Sequence, residues 1–187
     1  ETYLPAFKSL VQDGHVAEVM CAYQRIDGAP CCSNAKFERQ ILRDEWGFKG
    51  LITSDCGAVN DFYIPGYHGT AKTATEATAQ AVNAGTDLEC GSAYRTIPKA
   101  VKAGMINEDK VNQSLKRLLV ARFQLGDFDK DEMVAWTQIP ENVIACKAHK
   151  DLAEKIAEEG IVLLQNRNQL LPLNRNQKIV VMGPNAN

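Results

Sequence analysis

Residues 50–58 read Gly-Leu-Ile-Thr-Ser-Asp-Cys-Gly-Ala. The short apolar run 51–53 is typical of a buried strand, and it ends abruptly in Ser54 and Asp55. A carboxylate at the C-terminal tip of a buried parallel strand lies where α/β folds place their chemistry. Asp55 is therefore the first candidate for a functional residue. The alternative is that its side chain only caps the loop that follows the strand.

The sequence around this stretch alternates between strand-like and helix-like patterns. Besides 51–53, strands are expected at residues 16–23 and 85–90. Helices are expected after three capping residues and around residues 97–101; the caps are Ser33, Thr73 and Asn107. No hairpin signal is recognised between these segments. The alternation therefore predicts an α/β fold built of parallel βα units with right-handed crossovers.

The character of the sequence changes near Gly126. Residues 127–145 are polar and lack clear periodicity, which is typical of a linker. A helix that ends at Gly160 should follow, with Leu152 and Ile156 on its inward face. Two apolar runs, 161–164 and 178–182, then predict strands. This region has the pattern of the opening of a second α/β domain.

Composition excludes several classes of protein. The chain has 187 residues, 45% of them hydrophobic and 24% charged, and a net charge of −2, as in ordinary globular proteins. No basic stripe indicates nucleic acid binding, and no apolar run is long enough to span a membrane. The N-terminal residues lack the pattern of a signal peptide, so we expect a processed or truncated piece of a longer protein.

The cysteines and histidines do not indicate a metal site. None of the 6 cysteines has C-x-x-C spacing, and the 3 histidines are isolated in sequence. The adjacent cysteines Cys31 and Cys32 are expected to have separate partners, because a disulfide between neighbours is strained. Residues 183–185 follow an apolar run but lack a phosphate-binding glycine pattern, so nucleotide binding is a weak alternative.

Polar groups stand at the ends of three expected strands. They are Tyr23, Asp55 and the pair Asp87 and Glu89. In a closed parallel barrel all such ends face one pocket, so a phenol and a carboxylate would meet there. Asp87 lies in a turn-like Gly-Thr-Asp segment and is expected to be structural, whereas Glu89 could reach the rim of the pocket.

Several motifs, taken together and in order, resemble those of glycoside hydrolase family 3. The resemblance covers nearly the whole chain. The matching segments are MCAYQRIDGAPCCSN (20–34), LRDEWGFKGLITSD (42–55), AGTDL (84–88), LGDFD (125–129), GIVLLQN (160–166) and LLPL (170–173).

The resemblance implies a fold, a domain order and a site. Residues 1–126 would form the C-terminal part of a (β/α)8-type barrel, 127–145 a linker, and 146–187 the beginning of an α/β sandwich domain. The activity implied is that of an exo-acting retaining β-glycosidase without cofactor or metal, in a secreted or periplasmic location, with an oligosaccharide as substrate. Asp55 falls on the nucleophile, and the residues expected to bind the sugar are Tyr23, Met20 and Cys56.

Cys56 indicates which sugar is bound. Many β-glucosidases of the family have tryptophan after the nucleophile, whereas cysteine is typical of members that resemble β-xylosidases. The resemblance therefore favours release of terminal xylose from xylo-oligosaccharides. Since Cys56 and Cys90 both follow the ends of strands expected to be neighbours, we hypothesise a disulfide between them that narrows the sugar subsite.

The family's general acid/base glutamate falls on no residue of this sequence. We therefore expect the 187-residue chain alone to be inactive, because it would hold one of two required carboxyl groups and only some strands of the barrel. Two alternatives remain: a β-glucosidase, and a catalytically inactive fragment that serves as an interaction protein.

Overall fold

The computed structural model describes residues 2–186, which fall into two compact units, one up to Val134 and one from Ala135 onward. In the first unit a π-helical segment, Lys36–Glu45, stands where a helix was expected. The regular elements of this unit are α1 (Leu4–Gln12), β1 (Glu18–Cys21), β2 (Arg25–Ile26), β3 (Ala29–Pro30), β4 (Leu51–Ser54), α2 (Ala74–Ala84), α3 (Ile97–Lys102) and α4 (Glu108–Leu125).

Parallel pairing, as predicted, forms the centre of this unit. β1 pairs with β4 in parallel, with Cys21 opposite Ser54. On the other side of β4, Thr53 makes a single parallel bridge to Leu88. The expected strand at 85–90 is therefore reduced to one bridge. The reason is that the Asp87 carboxylate, rather than a backbone carbonyl, accepts from the Ile52 N–H at 3.0 Å.

The prediction that hairpins are absent is wrong. β2 and β3 pair in antiparallel fashion across a two-residue turn. Asp27 and Gly28 form that turn with φ of +53° and +85°, as a tight hairpin connection requires. The Asp-Gly pair was the available signal, and the shortness of the two strands hid it.

The expected helix after Ser33 begins at Lys36, three residues beyond its predicted cap, and has a π-helical rather than an α-helical backbone. Ser33 lies in a 3-10 turn and donates its hydroxyl to the Pro30 carbonyl at 3.3 Å. Ala35 is the N-cap residue, and the side-chain oxygen of Asn34, one residue earlier, accepts from the Phe37 N–H at 3.3 Å. The π-helical segment that follows buries Glu38 and Leu42.

The remaining predicted helix starts are confirmed. Thr73 accepts from the Glu76 N–H at 3.2 Å at the start of α2, and Asn107 accepts from the Asp109 N–H at 2.9 Å at the start of α4. α4 ends at Gly126, which adopts a left-handed conformation. Small residues of α2, such as Ala77 and Ala81, are wholly buried in a core cluster that includes Cys21 and Phe62.

Asp87 is structural, and its side chain is fully buried. It forms ion pairs with Arg43 and with Arg117, the latter at 2.8 Å. Ser114 donates to the same carboxylate at 2.9 Å, so β4, the π-helical segment and α4 are joined through one side chain. The Asp87 carboxylate accepts from four donors in all, which offsets the cost of burying its charge, whereas Arg43 Nε is buried without a hydrogen-bond partner among the described residues.

We expect Asp87→Asn to lower the free energy of unfolding by about 3 kcal/mol, because two arginines lose their buried counter-charge. Urea unfolding measures this loss. The matched control is Asp127→Asn, since Asp127 and its partner Arg122 are both partly exposed; that change should cost less than about 1 kcal/mol. Equal losses for the two variants would contradict this role of Asp87.

The second unit contains α5 (Lys147–Gly160), preceded by short 3-10 turns. The predicted end at Gly160 is confirmed, but Leu152 and Ile156, expected to face inward, are exposed. Neither 161–164 nor 178–182 forms a strand, contrary to expectation. A strand forms only where its backbone bonds to a neighbouring strand. Within this unit, the described residues include no strand beside 161–164 or 178–182.

No helix within residues 2–186 has the length and apolar character needed to cross a membrane.

Candidate active site

Asp55 directly follows β4 and is anchored through its backbone. Its N–H donates to the Cys21 carbonyl at 3.0 Å, which extends the β1–β4 ladder by one step. Its side-chain Oδ1 accepts from the Cys56 N–H at 2.7 Å. Asp55 thus caps the loop in part, as the alternative interpretation expected, because one carboxylate oxygen accepts from the N–H of the next residue. The side chain is nevertheless only half-buried at the end of the strand.

Tyr23 lies two residues beyond β1 and reaches across to the same strand end. Its hydroxyl donates to the Cys56 carbonyl at 2.7 Å. Hydrogen bonding with the Asp55 carboxylate, together with partial desolvation and nearby negative charge, raises the pKa of Tyr23 above its ordinary value. The phenol therefore keeps its proton, which it donates to the Cys56 carbonyl, and it adds no second negative charge beside Asp55.

Cys56 and Cys90 form a disulfide with a Cα–Cα distance of 4.4 Å. Two further hydrogen bonds join the same strand ends: Gly57 N–H to Cys90 O at 2.7 Å, and Cys90 N–H to Ser54 Oγ at 3.0 Å. The bridge is exposed beside Asp55. The structure thus brings together the phenol, the carboxylate and the disulfide at one edge of the sheet.

Two other candidates are placed differently. Met20 lies within β1 opposite Thr53 and is 55% exposed, one ladder step before the strand end. Glu89 is engaged as a cap, since its carboxylate accepts from the N–H groups of Ala93 and Tyr94, each at 3.2 Å. That role differs from the expected one at the pocket rim.

A second disulfide joins Cys21, at the end of β1, to Cys32, with a Cα–Cα distance of 5.1 Å. Cys31 remains a free thiol, and burial raises its pKa. As expected, the two adjacent cysteines are not bonded to each other, but only Cys32 has the disulfide partner that was expected for each. The partner of Cys32 was not predicted, because the sequence gives no indication that residues 21 and 32 face one another.

His68 is a residue that sequence reasoning missed. Its Nε2 lies 2.7 Å from the backbone carbonyl of Tyr23. An isolated histidine in a loop carries no local signal of such a contact, because the partner lies 45 residues away in sequence. Only the fold brings the two loops together.

The described residues include no group of three or more His, Cys, Asp or Glu side chains placed to hold a metal ion. A cavity of about 370 Å³ lies at the other end of β4, and its lining includes Gly50, Leu51 and Phe48. The chemistry-bearing side chains are at the C-terminal end of the strand, where parallel βα folds place their active sites.

The fold and the site together define a βα-type protein with a carboxylate and a phenol at the C-terminal ends of parallel strands, which is the arrangement of an enzyme active site. Residues 1–121 match the family described as "Glycosyl hydrolase family 3 N terminal domain". The chain belongs to glycosyl hydrolase family 3, and the resemblance found in the sequence is confirmed.

Curated relatives include β-xylosidases. The chain is 50% identical over its whole length to a xylan 1,4-beta-xylosidase of Xylanibacter ruminicola, of which it covers 22%. It is 37% identical to probable beta-D-xylosidase 6 of Arabidopsis thaliana and covers 24% of that protein. The chain thus spans between a fifth and a quarter of the length of these relatives.

The chain is similar to solved structures of enzymes with two different activities. A GH3 exo-beta-xylosidase in complex with a xylobiose aziridine probe matches 93% of this chain, and 22% of its own, at 32% identity with a TM-score of 0.81. A beta-glucosidase from Listeria innocua in complex with glucose matches 91% of this chain, and 23% of its own, at 31% identity with a TM-score of 0.77.

Proposed function

We propose that this chain carries the nucleophile of an exo-acting retaining β-xylosidase that releases terminal xylose from xylo-oligosaccharides. The observation that carries the proposal is the half-buried Asp55 carboxylate at the end of β4, beside the Tyr23 hydroxyl. The similarity to the xylan 1,4-beta-xylosidase of Xylanibacter ruminicola supports the choice of substrate.

The geometry suits nucleophilic attack at an anomeric carbon. Asp55 Oδ2 would attack, while the Cys56 N–H holds Oδ1 and the neutral Tyr23 phenol, bonded to the Cys56 carbonyl, places no second negative charge beside the carboxylate. A retaining mechanism needs a second carboxyl group about 5–5.5 Å away, which protonates the leaving oxygen and then activates water. In this proposal, another part of the protein supplies that group.

The proposal includes a domain assignment. Residues 1–126 would form the C-terminal part of a (β/α)8-type barrel, 127–145 a linker and 146–187 the opening of an α/β sandwich domain. The parallel β1–β4 pair and the bridge to Leu88 support the barrel assignment, because adjacent parallel strands are its repeating unit. The unit boundary after Val134 falls within the proposed linker.

Covalent trapping tests the role of Asp55. The intact enzyme would be incubated with a 2-deoxy-2-fluoro-xyloside that carries a good leaving group, then reduced and digested with trypsin. The fluoroxylosyl label should fall on Asp55 in the peptide of residues 50–72. A label on any other carboxylate, or turnover without a trapped intermediate, would overturn the proposal.

The Cys56–Cys90 disulfide gives the site its proposed preference for xylose. Xylose lacks the hydroxymethyl group of glucose, so a bridge that narrows the subsite beside Asp55 would exclude the larger sugar. Cys56 and Cys90 both lie at the strand ends that would face the sugar ring. In this proposal the Cys56–Cys90 disulfide selects xylose over glucose, in addition to joining the two strand ends.

Replacing both cysteines with serine should lower the ratio of xyloside to glucoside kcat/KM by about 10-fold, since one excluded methylene-sized group is worth that much discrimination. Nitrophenyl xyloside and nitrophenyl glucoside measure the ratio. Cys146→Ser is the matched control, because Cys146 is a free thiol in the second unit. An unchanged ratio in the double variant would contradict the role in specificity.

The second candidate is a β-glucosidase, which is favoured by the similarity to the Listeria innocua enzyme. The same pair of substrates separates the two. If the wild-type enzyme has a kcat/KM for the glucoside more than about 10-fold above that for the xyloside, equivalent to about 1.4 kcal/mol, the proposed activity is β-glucosidase and not β-xylosidase.

A further inference from the structure

The ring of His68 is fixed against the backbone of Tyr23. Because a carbonyl oxygen only accepts hydrogen bonds, the Nε2 atom 2.7 Å from Tyr23 O carries the proton and donates it. On its other side the ring lies at a tilt against Phe62, with a centroid distance of 6.2 Å. Phe62 is fully buried in the core cluster, so the histidine stands on a rigid support.

The backbone of His68 is anchored as well. Its N–H donates to the Asp61 carbonyl at 2.9 Å, which closes the loop that follows the nucleophile. Its carbonyl accepts from Arg25 Nη1 at 3.4 Å. The two contacts to residues 23 and 25 tie this loop to the segment that leaves β1.

Tyr23 therefore has a contact at each of its ends. Its carbonyl is held by His68, and its hydroxyl donates to the Cys56 carbonyl at 2.7 Å, next to the Asp55 carboxylate. The side chain itself is 45% exposed, so neighbouring side chains constrain its direction only partly. The backbone of Tyr23 has to be fixed if the hydroxyl is to remain in place beside Asp55.

We propose that His68 is a positioning residue for the reaction at Asp55, because its Nε2–H fixes the backbone of Tyr23 and thereby holds the Tyr23 hydroxyl on the Cys56 carbonyl, next to the nucleophile. This inference rests on the proposed role of Asp55 as a glycosidase nucleophile. A displacement of about 1 Å in such a group is enough to cost up to about 100-fold in rate.

Two substitutions separate the hydrogen bond from the packing. His68→Phe keeps an aromatic ring against Phe62 but removes the donor, and it should lower kcat about 10-fold with little change in KM. His68→Gln places an amide N–H near the position of Nε2 and should stay within about 3-fold of the wild type. His149→Phe, on the exposed surface of α5, is the matched control and should leave kcat unchanged.

A double-mutant cycle with Tyr23→Phe decides whether His68 acts through the phenol. If it does, adding His68→Phe to Tyr23→Phe should change kcat less than about 2-fold, because the hydroxyl that it positions is already absent. A full 10-fold loss in the Tyr23→Phe background, or a loss below about 2-fold in the wild-type background, would overturn the proposal.

Failure of the proposed function would look different. If Asp55 were not the nucleophile, Asp55→Asn would keep its activity and no label would fall on residues 50–72, whatever the cycle showed. If Asp55 is the nucleophile and His68 has no positioning role, trapping succeeds and the two single losses multiply in the double variant.

Discussion

Asp55→Asn in the intact enzyme is expected to lower kcat by about 10⁶-fold, the size of loss seen when other covalent nucleophiles are removed. Asparagine has nearly the same shape and can accept from the Cys56 N–H as Asp55 Oδ1 does at 2.7 Å. The local fold should therefore survive, and the loss should be in chemistry. Nitrophenyl xyloside hydrolysis measures it, and a loss below about 100-fold would exclude the nucleophile role.

Chemical rescue makes the same test specific to the nucleophile. In Asp55→Gly, added azide should attack the anomeric carbon from the face that the carboxylate occupied and should restore turnover of a substrate with a good leaving group. The product should be a glycosyl azide of inverted configuration, identifiable by NMR. Asp129→Asn, at an exposed carboxylate after α4, should keep full activity without azide.

A second large effect is expected from Glu38, which lies in the π-helical segment and is 4% exposed. Thr86 Oγ1 lies 3.0 Å from both the Cys32 carbonyl and Glu38 Oε1. The hydroxyl has one hydrogen to donate, so a protonated Glu38 completes the set by donating to Thr86. Burial raises the pKa of Glu38 to about 8, and the negative charge of Asp87 adds to that effect.

This pKa makes stability fall as the pH rises. The folded state holds the Glu38 proton up to about pH 8, whereas the unfolded chain releases it near pH 4.5. The stabilisation of the fold by this proton is therefore complete below about pH 4.5 and is lost progressively between about pH 4.5 and pH 8. From about pH 5 to about pH 9 the free energy of unfolding should fall by about 4 kcal/mol from this group alone.

Glu38→Gln should remove this pH dependence, since the amide mimics the protonated carboxyl and does not ionise. Urea unfolding of the wild type and the variant at the two pH values measures the difference. The variant should be the more stable protein at about pH 9 by a few kcal/mol. Parallel pH profiles for the two proteins would show that Glu38 is ionised in the fold, contrary to this account. Glu45→Gln, at an exposed carboxylate of the same segment, is the control.

The features predicted from the sequence are those with a local cause. The strand before Asp55 and the caps at Thr73 and Asn107 each depend on a few neighbouring residues, and all three are present. The family was also predicted, because its motifs lie along the chain in a fixed order. The placement of Tyr23 beside Asp55 followed from the expectation that strand ends meet at one edge.

The features that were missed depend on contacts between distant residues. His68 contacts a residue 45 positions away. The Asp87 carboxylate accepts from the Ile52 N–H in place of a backbone carbonyl, so the expected strand at 85–90 is reduced to one bridge. The π-helical backbone of Lys36–Glu45 has the same apolar spacing as an α-helix over its short length, so periodicity does not separate the two. For His68 and Asp87, contacts between distant residues outweigh local preference.

The register between β1 and β4 limits how the length of this protein can change during evolution. Side chains alternate faces along a strand, so one inserted residue in either strand would turn the residues beyond it to the opposite face. Cys21 would then lose its position opposite Ser54, and the Asp55 N–H would lose the Cys21 carbonyl. We therefore expect insertions and deletions in the loops between these strands rather than within β1 or β4.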